Sequence, residues 1–178
     1  MSYKDRKKAA AERAAARLAE DEVFMREALK EAQAAFDEGE APVGCVIVRE
    51  TDGRREMIAS AHNTRERDKR ASAHAEHDAI DMACRALGGW RLTGCTLYVT
   101  LEPCPMCAGL ISSARIGRVV YGAKDPKAGA YRSVMNMLEY PLFRPKVTGG
   151  VLEDECGDIL RRFFSGMRIK DKEKANHT

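Results

Sequence analysis

Cys95-Thr-Leu-Tyr-Val-Thr-Leu101-Glu-Pro-Cys104-Pro-Met-Cys107-Ala-Gly-Leu-Ile-Ser-Ser-Ala114 changes character halfway along. Its first seven residues are mostly β-branched, aromatic or aliphatic and predict a strand over 95–101. Small and aliphatic residues follow from Pro105 to Ala114. A proline near the start of a helix costs nothing, because the N–H it lacks is unpaired there anyway, so this half predicts a helix. The two cysteines lie at the junction. Unpaired N–H groups and the helix dipole at such a place favour thiolate over thiol.

Outward from this stretch the same alternation of strand and helix recurs. Asp21 to Asp37 reads as a helix with Met25, Leu29, Ala32 and Phe36 on one face, ended by Gly39. The run Val43 to Val48, opened by Pro42, reads as a strand. Thr51-Asp-Gly-Arg54 is a hairpin turn signal, and Met57 to Ala61 the returning strand. Arg65 to Arg70 reads as a charged loop, and Ser72 to Leu87 as a helix with Ile80, Ala83 and Leu87 inward, stopped by Gly88-Gly89. Beyond the opening stretch, Arg118 to Gly122 predicts a strand, Ser133 to Leu138 a short helix and Val147 to Val151 a last strand. Asp154 to Met167 is amphipathic, with Ile159, Leu160, Phe163, Phe164 and Met167 on one face. At least one of the two phenylalanines belongs to the core. The pattern is that of an α/β protein, a sheet covered by helices whose parallel strands need right-handed crossovers.

The chain has 178 residues, 44% hydrophobic and 32% charged, enough for one ordinary domain with its own core. Six cysteines are too few for a disulfide scaffold. No apolar run approaches the roughly 20 residues of a membrane span, and the basic N-terminus lacks the apolar segment of a secretory signal. The expectation is a cytoplasmic protein with reduced thiols. Charge is uneven: residues 1–20 and 161–178 hold twelve Lys/Arg against five Asp/Glu, the middle eighteen against twenty-two. Basic ends on an acidic body fit either solvated helix surfaces or a polyanionic partner. The division expected is a basic, Ala-rich extension over 1–20, one folded domain over 21–168 and a charged tail over 169–178.

The chemistry concentrates in two motifs, His74-Ala-Glu76 at a helix start and Pro103-Cys104-Pro-Met-Cys107. One His and two Cys make three ligands, and a zinc ion held by three keeps a fourth position for water, which the ion acidifies to a pKa of roughly 7. Glu76, two residues past His74, is placed to take a proton from that water and hand it on. A structural zinc site with His77 as fourth ligand and a redox cysteine pair are the other readings; neither uses Glu76. Together the motifs form H-x-E…P-C-x-x-C, the pattern of zinc nucleobase deaminases.

From about Asp21 to Arg168 the chain resembles the bacterial tRNA adenosine deaminases, within the cytidine-deaminase-like fold. The stretches that carry the resemblance are Gly39-Glu-Ala-Pro-Val-Gly44, His62-Asn63, Ala73-His-Ala-Glu76, Thr100 to Gly109, Arg115 to Asp125, Gly150 to Cys156 and Phe163-Phe164. It implies a three-layer α/β/α domain with a mixed sheet of about five strands. It also implies hydrolysis of the wobble adenosine of a tRNA anticodon to inosine, with one zinc per chain on His74, Cys104 and Cys107. Zinc-bound hydroxide would attack C6, and Glu76 would shuttle protons. Asn63 would bond the purine edge, Val43 and Leu101 would line the base pocket, and the Ala75 N–H would orient the base. Asp125, with Lys124 and Lys127 beside it, would meet the anticodon backbone, and Phe164 would be the phenylalanine left to face RNA. The family works as a homodimer whose partner is a tRNA anticodon stem-loop. Taken without the resemblance, Asn63 also fits a loop cap and Asp125-Pro126 an ordinary turn. Phe143-Arg-Pro145 stands where many relatives have Phe-Asn-His. A zinc deaminase of a free base or nucleotide (guanine, cytosine or a cytidine nucleotide) is the alternative function; it would not require the basic ends or the segment from Gly122 to Pro126.

Overall fold

The computed structural model describes residues 2–139 and 143–175. Of the expected extension and tail, Met1 and residues 176–178 lie outside the described residues. In chain order the elements are α1 (Tyr3–Asp37), β1 (Gly44–Thr51), β2 (Arg54–His62), α2 (Arg65–Asp68), α3 (Ala75–Leu87), β3 (Cys95–Leu101), α4 (Pro105–Ser113), β4 (Arg118–Ala123), a 3₁₀ turn (Met137–Glu139), β5 (Lys146–Gly149) and α5 (Glu153–Ala175). The sheet order is β2-β1-β3-β4-β5. Strand β1 runs antiparallel to both neighbours, and β3, β4 and β5 are mutually parallel. This is the expected mixed sheet of five strands.

Alternate residues of the central strands enter two cores. Cys45, Ile47, Leu97, Val99, Val119 and Tyr121 pack with Ala79 and Ile80 of α3 and with Ala108 and Ile111 of α4. Val46, Val48, Tyr98 and Val120 pack on the opposite face, with Met25 and Ala28 of α1 and Cys156 of α5. Helices on both faces make three layers. Double burial explains why Val43–Val48 and Cys95–Leu101 read as continuous apolar runs rather than alternating ones.

Four local readings are corrected by the structure. The separate extension and helix are one continuous helix, because no Gly or Pro interrupts residues 3–37 and Ser2 and Asp5 form a capping box at its start. The buried face of α1 is Met25, Ala28, Ala32 and Ala35, with Leu29 and Phe36 only half-buried. The cause is a close approach: a Cβ on Gly44 would lie 2.0 Å from the Ala28 carbonyl oxygen, so only small residues fit where α1 crosses β1. Arg65–Asp68 forms a short helix instead of a loop, tied by Thr64 Oγ1 donating to Asp68 Oδ2 at 2.9 Å. Between Ser133 and Leu138 only the 3₁₀ turn from Met137 is helical. The N–H groups of Tyr131, Arg132 and Ser133 point at the Glu102 carboxylate and that of Val134 at the Gly129 carbonyl, so the chain wraps instead of coiling.

The hairpin turn is as read: Asp52 and Gly53 both have positive φ, 51° and 74°, the two-residue geometry that matches strand twist. On α5, Ile159 is buried and Phe163 half-buried, whereas Phe164 and Met167 are 44% and 46% exposed.

Candidate active site

Two helix N-termini meet at one point. His74 is the N-cap of α3, with extended backbone (φ −87°, ψ 150°), and Cys104 is the N-cap of α4 (φ −74°, ψ 170°). Neither side chain caps its own helix, so imidazole and sulfur are free to face each other. His74 Nδ1 lies 3.7 Å from Cys104 Sγ and 3.5 Å from Cys107 Sγ. All three ligand atoms fall within 4.8 Å of one another, and no other group of this kind occurs among the described residues. Tetrahedral zinc with ordinary Zn–N and Zn–S bonds would hold nitrogen and sulfur about 3.6 Å apart, so the donor set and its spacing both fit. His77 is not part of the cluster; its Nδ1 lies 3.5 Å from Asp78. This removes the four-ligand structural site among the described residues.

The electrostatics are uneven. The Cys104 thiol is held down to about 4, first by the hydrogen bond from the Cys107 thiol and then by His74. Cys107 is raised, as the donor of that bond and as a buried group. Glu76, in the first turn of α3 and only 4% exposed, is held above the usual carboxylate range, chiefly by desolvation. A carboxylate of that kind takes up a proton more readily than an exposed one.

Above this cluster opens a cavity of about 390 Å³. It is bordered by His74, Ala75, Glu76 and Cys104, by Val43, Asn63 and Leu101, and at the mouth by Asp125, Phe163, Phe164 and Met167. Nearly every residue singled out in the sequence is therefore brought together, with Cys107 buried behind the wall. Lys124 and Lys127 are not on it. They border an adjoining groove of about 530 Å³ that shares Leu101, Asp125 and Phe164 with the cavity, and Lys124 pairs with Glu153 at 3.4 Å. Asp125 Oδ1 accepts from the N–H groups of Lys127 (2.9 Å) and Ala128 (3.2 Å), which is the turn geometry.

Two carboxylates escaped the sequence reading. Glu40, 2% exposed, accepts from Asn63 Nδ2 at 2.9 Å and from the Arg67 N–H at 2.6 Å. Glu102, also 2% exposed, accepts from the N–H groups of Asp125, Tyr131, Arg132 and Ser133 and from the Ser133 hydroxyl. It pins the loop that forms one wall of the cavity. A Cβ on Gly129 would lie 2.5 Å from the Glu102 carboxylate, so that loop passes in contact with it. The available signal was an acidic residue inside otherwise apolar or small-residue stretches.

Residues 18–123 match the family model for the cytidine and deoxycytidylate deaminase zinc-binding region. A tRNA-specific adenosine deaminase of Bacillus subtilis (strain 168) is 52% identical over 157 residues, covering 87% of this chain and 95% of that protein. One from Agrobacterium fabrum is 47% identical over 156 residues, 86% of this chain and 100% of that protein. Among solved structures, one from studies of A-to-I editing by tRNA:A34 deaminases at the wobble position superposes with a TM-score of 0.72 and 47% identity. It covers 77% of this chain and 98% of that one.

Proposed function

The chain belongs to the tRNA-specific adenosine deaminases of the zinc-binding deaminase family, and on that premise we propose that its cavity takes the wobble adenosine of a tRNA anticodon and hydrolyses it to inosine. The observation that carries the reading is Glu76: a buried carboxylate beside a three-ligand cluster, at the floor of a cavity wide enough for a base. A purely structural metal site has no use for it.

The reaction replaces the exocyclic amine at C6 by oxygen from water and releases ammonia. His74 Nδ1, Cys104 Sγ and Cys107 Sγ would hold zinc, which would supply Lewis-acid activation of water near neutral pH. Glu76 accepts one proton from water and delivers it to purine N1, then takes the remaining proton of the added oxygen and passes it to the departing amine, which leaves as ammonia. Asn63, its amide held by Glu40, bonds the purine edge. Val43 and Leu101 exclude water from the two faces of the base, and the Ala75 N–H orients it. An anticodon loop is the right source for such a base, since a loop nucleotide splays out at little cost in stacking. Asp125, Lys124, Lys127 and Phe164, at or beside the mouth, meet the flanking RNA.

The same reading makes the working form a homodimer, for which exposed Met106, Val134 and Met135 supply apolar surface. No helix among the described residues is long and apolar enough to cross a membrane, and the site of action is the cytoplasm, where tRNA is found. The test incubates the purified protein with an anticodon stem-loop bearing adenosine at the wobble position, and separately with guanine and cytidine. Inosine at that one position is expected. Turnover of guanine with the stem-loop untouched would replace this function by the free-base alternative.

A further inference from the structure

The first half of α1 contributes no side chain to either core of the domain it leads into. Residues 2–16 are exposed except for half-buried Ala9, and the segment precedes the matched family region. It is nevertheless built as a rigid projection. Its root is fixed by the buried Asp21–Arg118 pair, by Arg55 to Glu20 at 2.8 Å and by Arg17 to Glu50 at 3.6 Å. Its tip is closed by the Ser2–Asp5 capping box, and alanine, the best helix former, occupies residues 9–11 and 14–16. Its surface is lysine, arginine and alanine with an exposed Tyr3 at the tip, and it gains nothing from the protein's own core. Its cations are Lys4, Arg6, Lys7, Lys8 and Arg13, against only Asp5, which is engaged in the cap, and Glu12.

The other end of the same helix leads into Gly39 and Glu40, which border the cavity. At 1.5 Å per residue, Arg13 and Lys4 stand roughly 35 and 50 Å along the axis from Asp37. That is too far for nucleotides flanking the reacting base, but a complete tRNA extends well beyond its anticodon stem. We propose that residues 3–16 are an RNA-binding arm that engages phosphates of the substrate tRNA outside the anticodon stem-loop. The proposal rests on tRNA being the substrate.

The test uses the full chain with Lys4, Arg6, Lys7, Lys8 and Arg13 all changed to Gln, which keeps helix propensity. Binding of a complete tRNA and of its isolated anticodon stem-loop is measured by fluorescence anisotropy over a range of salt, with kcat and KM on both. Expected for the variant is a loss of roughly fivefold or more in affinity for the complete tRNA, and a log Kd against log salt slope shallower by about one or more. Its stem-loop binding and both kcat values should match the parent. Unchanged affinity for the complete tRNA overturns the proposal. So does an equal loss on both RNAs, which would place the cations at the loop, or a change confined to sedimentation, which would make the arm a contact between copies. If the parent chain makes no inosine in either RNA, the substrate reading falls, and the binding comparison still decides the arm.

Discussion

Glu40 accepts a hydrogen bond from Asn63 Nδ2 at 2.9 Å, and both side chains are buried at the edge of the cavity. A carboxylate can only accept, so it fixes which end of the amide it meets and leaves the Asn63 carbonyl and one N–H for a base. Glu40→Ala should therefore lower kcat/KM on the stem-loop by roughly 10–100-fold through misplacement of Asn63. Glu40→Gln, which can still accept, should lose less. Parent-like kcat/KM in the alanine variant would show that Asn63 needs no such support.

Glu76 and the three ligands should separate cleanly in a metal assay. Glu76→Gln should keep one zinc per chain, read by atomic absorption, and lose roughly 10³-fold or more in kcat. Cys104→Ala and His74→Ala should lose zinc as well as activity, because two ligands do not hold the ion. Full zinc content in either ligand variant would mean that the donor set is wrong.

Asp21 and Arg118 form a two-point ion pair, Oδ1 and Oδ2 at 2.7 and 2.6 Å, with the Tyr98 hydroxyl donating to Oδ1 at 2.9 Å. The carboxylate is 1% exposed. Asp21→Ala strands a guanidinium and a phenol in the interior and should cost about 3–5 kcal/mol in urea unfolding. A loss below about 1 kcal/mol would show that water reaches the pair.

Glu102 ties acid stability to the cavity wall. Burial alone would raise its pKa, but the hydrogen bonds from Ser133 and from the N–H groups of Arg132, Ser133 and Asp125 outweigh that and hold it below the ordinary value. A depressed folded pKa means the folded state prefers the ionised form. Its stabilisation is thus complete above the unfolded pKa of about 4.3 and is lost as pH falls through the lower folded value. Glu102→Gln should be less stable than the parent by about 2 kcal/mol at pH 7, with the gap closing below roughly pH 4. A gap that stayed constant down to pH 3 would place the effect in packing.

Much of the fold was legible because its signals are local. Cys95–Leu101 has the bounds its composition predicts, and the Asp52-Gly53 turn demands positive φ that few other residue pairs supply. The buried face of α1 lies about one residue from the face its period predicts, because it is set by Gly44 on another element. Met167 reads as core by period alone, yet it is exposed and borders the cavity beside Phe164.

By itself the sequence singled out the residues of the candidate site, His74, Glu76, Cys104 and Cys107, and the alternation of strand and helix. Those follow from residue type and spacing within a few positions. Only the tertiary structure decided that His74, thirty residues from Cys104, meets it across two helix N-termini, that Glu40 holds Asn63, and that Glu102 gathers a loop from nearly thirty residues away. Such pairings depend on how the sheet stacks its elements, and a carboxylate's role is set by the donors that surround it rather than by its neighbours in the chain.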